Sequence, residues 1–426
     1  MSRSPSIDAP FDLVIRSARL AEGSDPIDVG IAAGRIAAVG PALGSGRREV
    51  QAAGRLCLPG LVNPHTHLDK ANLLYRMTPD QFGGSLEENR QLIRSLKRGY
   101  TLEEVKGRAK SVALEMLANG ITAIQTQSDV DPTAELRGIE ALIALREELA
   151  GTVDLRVGVF PQEGAVGPEK EALLAAAVEL GADLVGGNPY VETSDADQRR
   201  HIDNLFALAV RHGKDLEIQI DETNDSRRFL LPYLIDVTLA NGYQGRVTAT
   251  HAISLAAVDE TTGRRAIERL AEARINVNVT PSCNLITQFL TPPEVPVRPH
   301  NSITRVKDLI DAGVNVAIGT DNIRDIFYPI GNCSLLRELH TLATTVRLTG
   351  YADGARLFEM ATLGGARVMG LDYGVAPGKP ADLIVLNATT YRDALAGPDF
   401  VPVVVKAGRV VSRRRIVDEG PLQSLD

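Results

Sequence analysis

Between about Leu58 and Leu371 the chain alternates short apolar runs with longer stretches whose apolar residues recur at helical spacing. A short run that is apolar throughout reads as a strand buried on both faces, and a 3.6-residue period reads as an amphipathic helix. The strand-like runs are Leu61-Val62-Asn63, Thr122-Ala123-Ile124-Gln125, Leu155–Phe160 and Leu184-Val185-Gly186-Gly187. They continue with Leu216-Glu217-Ile218-Gln219, Arg246–Thr250, Ile275–Val279 and Val314–Gly319. They lie roughly 30 to 40 residues apart, with helical stretches such as 101–118 and 169–180 between them, which is the pattern of βα units in a parallel sheet. Eight such units predict a (β/α)8 TIM barrel.

The flanks have a different texture. Phe11–Arg16 and Arg35–Val39 are brief β-prone runs punctuated by Gly and Asp. Strand texture returns at Ala381–Leu386 and Val403–Val411, the latter folding around Lys406-Ala407-Gly408-Arg409. Strand sets at both ends predict one small β-sandwich domain formed by residues 1–57 and 372–426, with the α/β barrel occupying 58–371.

Composition narrows the partners. A chain of 426 residues suits one large barrel with a flanking domain. Only 4% of residues are aromatic, there is no Trp, and the formal net charge is −8. That balance argues against nucleic acid or an anionic membrane as the main partner and leaves a small molecule. Cys57, Cys283 and Cys333 are far apart, form no CxxC and read as packing residues in a reducing cytoplasm. No apolar run approaches the roughly 20 residues of a membrane helix. The first residues, MSRSPSIDAPFDL, lack the apolar core of a secretory leader, so a cytoplasmic location is expected.

Candidate chemistry gathers at the strand ends, where barrels of this kind place their active sites. His65 and His67 stand two apart at the end of the first run, so in extended backbone both imidazoles face one way and suit a divalent transition metal. Other runs end in Gln162-Glu163, Asp221-Glu222, Thr250-His251 and Thr320-Asp321-Asn322. Each has a plainer reading: Asp321 as a helix cap, Glu222 as a surface ion-pair residue, His251 as a buried hydrogen-bonded histidine, Gln162 as a loop hydrogen-bonder and Lys70 as a solvated charge.

Taken in order, Pro64-His65-Thr66-His67-Leu68-Asp69, Phe160–Gly164, Gly181–Gly187, Ile220-Asp221-Glu222, Arg246–His251, Ile303–Lys307, Gly319–Asn322 and Gly378–Leu386 resemble the amidohydrolase superfamily. The likeness is to the branch of bacterial cytosine deaminase and N-isopropylammelide amidohydrolase, and it runs from Phe11 to about Arg413. The resemblance implies one divalent metal, zinc or iron with manganese as a further option, held by His65, His67 and Asp321. It implies catalytic roles for Glu222 as proton shuttle, for His251 in handling the water proton, and for Asp321. It implies substrate contacts for Gln162, Lys70 and Asn322. It also implies a homo-oligomer, which the family often forms.

Two departures stand out. Gln219 occupies the place of the family's third imidazole ligand, and Gln127 replaces another family histidine. A Gln carbonyl can ligate, but it is neutral and binds zinc or iron more weakly than imidazole. Gln219 is therefore a fourth candidate ligand, a substrate contact, or the mark of a metal-poor site, and Gln127 is more a supporting group than a ligand. His201, His212, His300 and His340 fall in helices or a loop, away from any strand end. Asp69-Lys70 and Asp321-Asn322 fit the ammelide-hydrolase pattern better than the cytosine deaminase one. The expected function is metal-dependent hydrolysis of a C–N bond in a small nitrogen heterocycle, by deamination or dealkylamination of an aminopyrimidine- or triazine-like ring. Opening of a cyclic amide, or altered chemistry at a metal-poor site, is the alternative. Specificity is expected in the loops 73–95 and 281–301.

Overall fold

In the computed structural model, residues 11–81, 86–287 and 301–417 are described. They group into two compact units, one of residues 11–60, 117–122 and 372–417, the other of residues 61–116 and 123–371. His300 and most of the 281–301 loop lie outside the described residues.

The first unit contains two four-stranded sheets. One is formed by β1 (Leu13–Ala18), β2 (Ile27–Ala32), β3 (Arg35–Gly40) and β4 (Glu49–Gln51), in the order β3-β2-β1-β4. In the other, β5 (Cys57–Pro59) joins three strands from the far end of the chain, described below. Val14 and Ile15 of β1 are fully buried, and Ile15, Val29, Ile31 and Ile36 share one core with Leu383, Val385 and Val405. β-branched side chains from two sheets interlock there, which is the packing of a β-sandwich. The expected sandwich is thus present, with β2, β4 and β5 added to the strands read from the sequence.

The second unit is the barrel. Its strands are β6 (Leu61–Thr66), β7 (Ile121–Asp129), β8 (Asp154–Phe160), β9 (Leu184–Gly187), β10 (Asp215–Ile220), β11 (Val247–His251), β12 (Asn276–Val279) and β13 (Val316–Ile318). They are neighbours in chain order from β6 to β13, and the pairings from β7 to β13 are parallel. A parallel bridge between Thr66 and Asp321 brings the two edges together. The Asp321 N–H donates to His65 O at 3.1 Å, and Thr66 Oγ1 donates to Asp321 O at 2.7 Å. A nearly closed parallel barrel leaves little unpaired strand edge, and its side-chain-filled interior is its core. The remaining strands, β14 (Leu383–Val385), β15 (Val403–Lys406) and β16 (Arg409–Arg413), complete the second sheet of the sandwich, with β5 pairing β14.

β7 is longer than the apolar run suggests. Its second half, Thr126-Gln127-Ser128-Asp129, is polar yet fully buried. The amide of Gln127 needs room that two glycines provide: a Cβ on Gly186 would stand 2.3 Å from Gln127 Oε1, and one on Gly158 2.7 Å. Side chains at either position would drive that amide out of the barrel.

Outside the strands, Glu338 on the helix Leu335–Val346 is buried and accepts from the Ser282 N–H at 3.0 Å. Burial pushes its carboxyl up from 4.5 to about 8. The folded chain therefore keeps this proton where the unfolded chain has released it, and stability falls as pH rises between about 5 and 8. Glu338→Gln keeps an acceptor for Ser282 and removes that titration. The variant is expected to gain stability relative to the parent across that window and to run parallel to it above, checked by melting temperature against pH.

Candidate active site

Three strand ends of the barrel carry the centre of the site. β6 delivers His65, with His67 just beyond it; β10 delivers Gln219; and the turn after β13 delivers Asp321. Asp321 and His251 have left-handed backbone, φ 59° and 73°, a conformation that costs a non-glycine residue energy and clusters at functional sites. His65, His67, His251 and Asp321 are all buried.

The imidazoles of His65 and His67 face one carboxylate. His65 Nε2 is 3.4 Å, and His67 Nε2 3.6 Å, from Asp321 Oδ1. The first contact lacks hydrogen-bond geometry, and His65 Nε2 is left with no partner. Donors at about 2.0–2.2 Å from a tetrahedrally held ion lie roughly 3.3 Å apart, so the spacing suits a shared cation better than direct hydrogen bonds. Donor atoms of His65, His251 and Asp321 also lie within 4.8 Å of one another. These residues fit a divalent metal.

Charge points the same way. His65 Nδ1 donates to Glu217 Oε1 at 2.5 Å, and Glu217 is fully buried. Burial disfavours the imidazolium, but Glu217 and Asp321 outweigh it and lift His65 to about 10. Asp321 is held well below the usual carboxylate range by the same imidazoles, against its own burial. Two buried carboxylates flanking one imidazole demand positive charge, which a proton or a metal ion can meet. His67 is pushed far down, by burial first and then by the charge of Lys70, so its ring is neutral and has a lone pair to give.

Glu217 went unnoticed in the sequence, although a charged residue inside Leu-Glu-Ile-Gln-Ile, two before Gln219, was the available signal. It accepts from His65, from Thr250 Oγ1 at 2.8 Å, and from Gln125 Nε2 and Gln127 Nε2 at 3.0 and 2.6 Å. Gln127 therefore supports the carboxylate that supports His65. Fixing Nδ1 as the protonated nitrogen leaves Nε2 free to coordinate.

Gln219 is in contact with the centre, but through nitrogen: its Nε2 is 3.1 Å from His67 Nε2. An amide nitrogen is no metal ligand, so coordination by Gln219 requires the amide turned to present Oε1. His251 Nδ1 is 3.0 Å from Asn284 Nδ2, and Asn284 Oδ1 accepts from Thr280 Oγ1. The same Nδ1 lies 3.1 Å from Thr280 Oγ1, and His251 Nε2 lies 3.9 Å from Glu222 Oε2.

A cavity of about 550 Å³, open mouth included, lies over these groups. His67, Gln219, Glu222 and Asp321 line it, and so do Gln162, Lys70 and Asn322, the residues expected to touch substrate. Asn188, Tyr190, Phe327 and Arg90 complete much of the wall and were not singled out in the sequence. Cys283, buried as a packing residue is, also borders it; burial holds its thiol well up, so it stays protonated. Lys70 is buried and paired with Asp129 at 2.5 Å, and Asn322 Nδ2 donates to Asp325 at 2.5 Å. His201 lies apart, in the helix Asp195–His212, bonded to Glu192 at 3.0 Å.

Comparison with known proteins identifies the family of the chain. A model of the amidohydrolase family matches residues 76–412. N-isopropylammelide isopropyl amidohydrolase of Pseudomonas sp. (strain ADP) is 31% identical over 96% of this chain and 98% of its own length. Pterin deaminase of Rhizobium rhizogenes is 29% identical over 92% of this chain and 89% of its own. The crystal structure of 5-methylcytosine deaminase from Klebsiella pneumoniae, with 5-fluorocytosine bound, superposes with a TM-score of 0.88 at 28% identity, covering 96% of this chain and 100% of that one. The chain belongs to the amidohydrolase family, enzymes that hydrolyse C–N bonds other than peptide bonds.

Proposed function

We propose that the chain is a metal-dependent hydrolase that removes an amine from a carbon of a small nitrogen heterocycle. The observation that carries this reading is the convergence of His65, His67 and Asp321, with Glu222 and His251 alongside, at strand ends bordering one cavity. The named activities of the relatives, on N-isopropylammelide, pterin and 5-methylcytosine, support it.

His65, His67 and Asp321 would hold the metal. A divalent ion there supplies hydroxide at neutral pH by lowering the pKa of its water toward about 7. The rest of the chemistry falls to the chain. His251 and Asp321 orient the oxygen nucleophile and handle its proton. Glu222 takes the proton released by water and gives it to the ring nitrogen; after the oxygen has added, it takes the proton of the new C–OH and gives it to the departing amine, so the C–N bond breaks as the carbon becomes a carbonyl. Gln162 and Asn322 present amide groups to the ring edge, and Tyr190 and Phe327 offer apolar faces. Amides serve a ring that presents both carbonyl and N–H groups, because each amide can donate and accept.

Gln219 would loosen the metal's hold, while Glu217 would partly compensate by keeping His65 in the coordinating tautomer. Four outcomes test the reading. Chelation abolishes amine release from aminopyrimidines or aminotriazines, and Zn²⁺, Fe²⁺ or Mn²⁺ restores it; full turnover by a rigorously metal-free sample overturns the reading. Gln219→His raises the metal retained after dialysis against chelator, measured by elemental analysis. Glu217→Gln presents an N–H to His65 Nδ1, moves the ring proton to Nε2 and weakens metal retention by about 10–100-fold. Glu222→Gln lowers kcat by about 10²–10⁴-fold with metal content unchanged, read from single-turnover rates beside elemental analysis.

A further inference from the structure

The helix α1 (Leu86–Lys97) carries Arg90, Arg94 and Lys97 at positions i, i+4 and i+7, so the three cations share one face. Two of them have partners on the barrel. Arg94 Nε donates to Glu163 Oε1 at 3.0 Å. Lys97, 1% exposed, meets Asp131, Asp129 Oδ2 at 3.2 Å and Glu163 Oε1 at 3.8 Å. Burying an ammonium is tolerable only with such compensation. Arg90 is different. It is half-buried, lines the cavity over His67 and Asp321, and has no hydrogen bond or ion pair among the described residues.

The other charges on the cavity wall are accounted for. Lys70 is neutralised by Asp129, and Asp321 faces the imidazoles. Glu222 stands near His251. Arg90 alone on this wall brings a charge for which the described chain provides no counter-ion. A guanidinium fork matches a carboxylate in a bidentate fashion, and holding one at a partly desolvated cavity edge is costly unless an anion arrives.

We infer that the substrate of this site is a heterocycle carrying an anionic substituent, a carboxylate or an equivalent oxyanion, which Arg90 grips while the ring lies over the catalytic groups. The inference rests on the heterocycle-hydrolase reading above and narrows its substrate class. Because Lys97 and Arg94 fasten α1 to the barrel, Arg90 is held at the cavity edge before the substrate binds, which limits the ordering cost of recognition.

The test uses matched rings that differ only in charge. Turnover of cytosine-5-carboxylate is compared with that of cytosine-5-carboxamide by the metal-loaded enzyme. Binding of uracil-5-carboxylate and uracil-6-carboxylate, against their carboxamides, is followed by calorimetry. The wild type is expected to favour a carboxylate by at least about 10-fold, as a charge-assisted pair provides. Arg90→Gln should collapse that preference by about 10–100-fold, mainly in KM and Kd, and Arg90→Lys should restore part of it. No preference in the wild type, or a preference that survives Arg90→Gln, overturns the inference. Preferential carboxylate binding that depends on Arg90, without turnover of any ring by metal-loaded enzyme, upholds the anion site and overturns the hydrolase reading. Turnover of the neutral rings with no carboxylate preference does the reverse.

Discussion

The site depends on the seam that closes the barrel. Thr66 and Asp321 bridge the first and last strands, and the residues on either side of Thr66 are His65 and His67. A register slip of one residue at this seam would turn both imidazoles away from Asp321, because side-chain direction alternates along a strand. Two hydrogen bonds, from Asp321 N–H to His65 O and from Thr66 Oγ1 to Asp321 O, lock that register. The closure of the fold and the assembly of the site are therefore one event.

Behind the seam lies a polar interior that the barrel must satisfy. Glu217, Gln125, Gln127 and Thr250 form a hydrogen-bonded group beneath His65, where an apolar core would be simpler to pack. Such a group is costly unless its members find partners, and here the buried carboxylate receives donors on both oxygens. Its negative charge reaches the cavity through one imidazole. Gln219, a neutral amide at the centre of the site, is thus set against the carboxylate of Glu217 one pleat deeper on the same strand.

Most of the barrel was legible because short strand-prone runs with apolar residues at every other position or more recur between longer helical stretches. The second half of β7 was not, since Gln127 and Asp129 look like loop residues until the barrel interior is known to be polar. Among the flanking strands, Glu49-Val50-Gln51 is too short to carry a pattern, and Ile27–Ala32 is masked by an Asp and a Gly. The residues at strand ends were readable in order, and His67, Gln219, Glu222 and Asp321 do meet on one cavity. Arg90 lies in the segment 73–95 expected to carry specificity, but its part of that segment is the helix α1 rather than a loop, and neither Arg90 nor Lys97 was readable by itself because the helix reaches the site only through tertiary packing. Their acidic partners, Asp129, Asp131 and Glu163, come from different parts of the chain.

The pairing of β5 with β14 has a consequence for how the chain comes off the ribosome. Cys57–Pro59 is made early, yet its partner Leu383–Val385 emerges only after the whole barrel. Loop closure over so long an interval is slow, and domains generally fold as their sequence becomes available. The barrel can form first, while the early sandwich strands wait with apolar residues such as Cys57 and Leu58 uncovered. The nascent chain thus has a built-in interval of exposure, ended when the last strands dock, and dependence on chaperones should be concentrated in that interval.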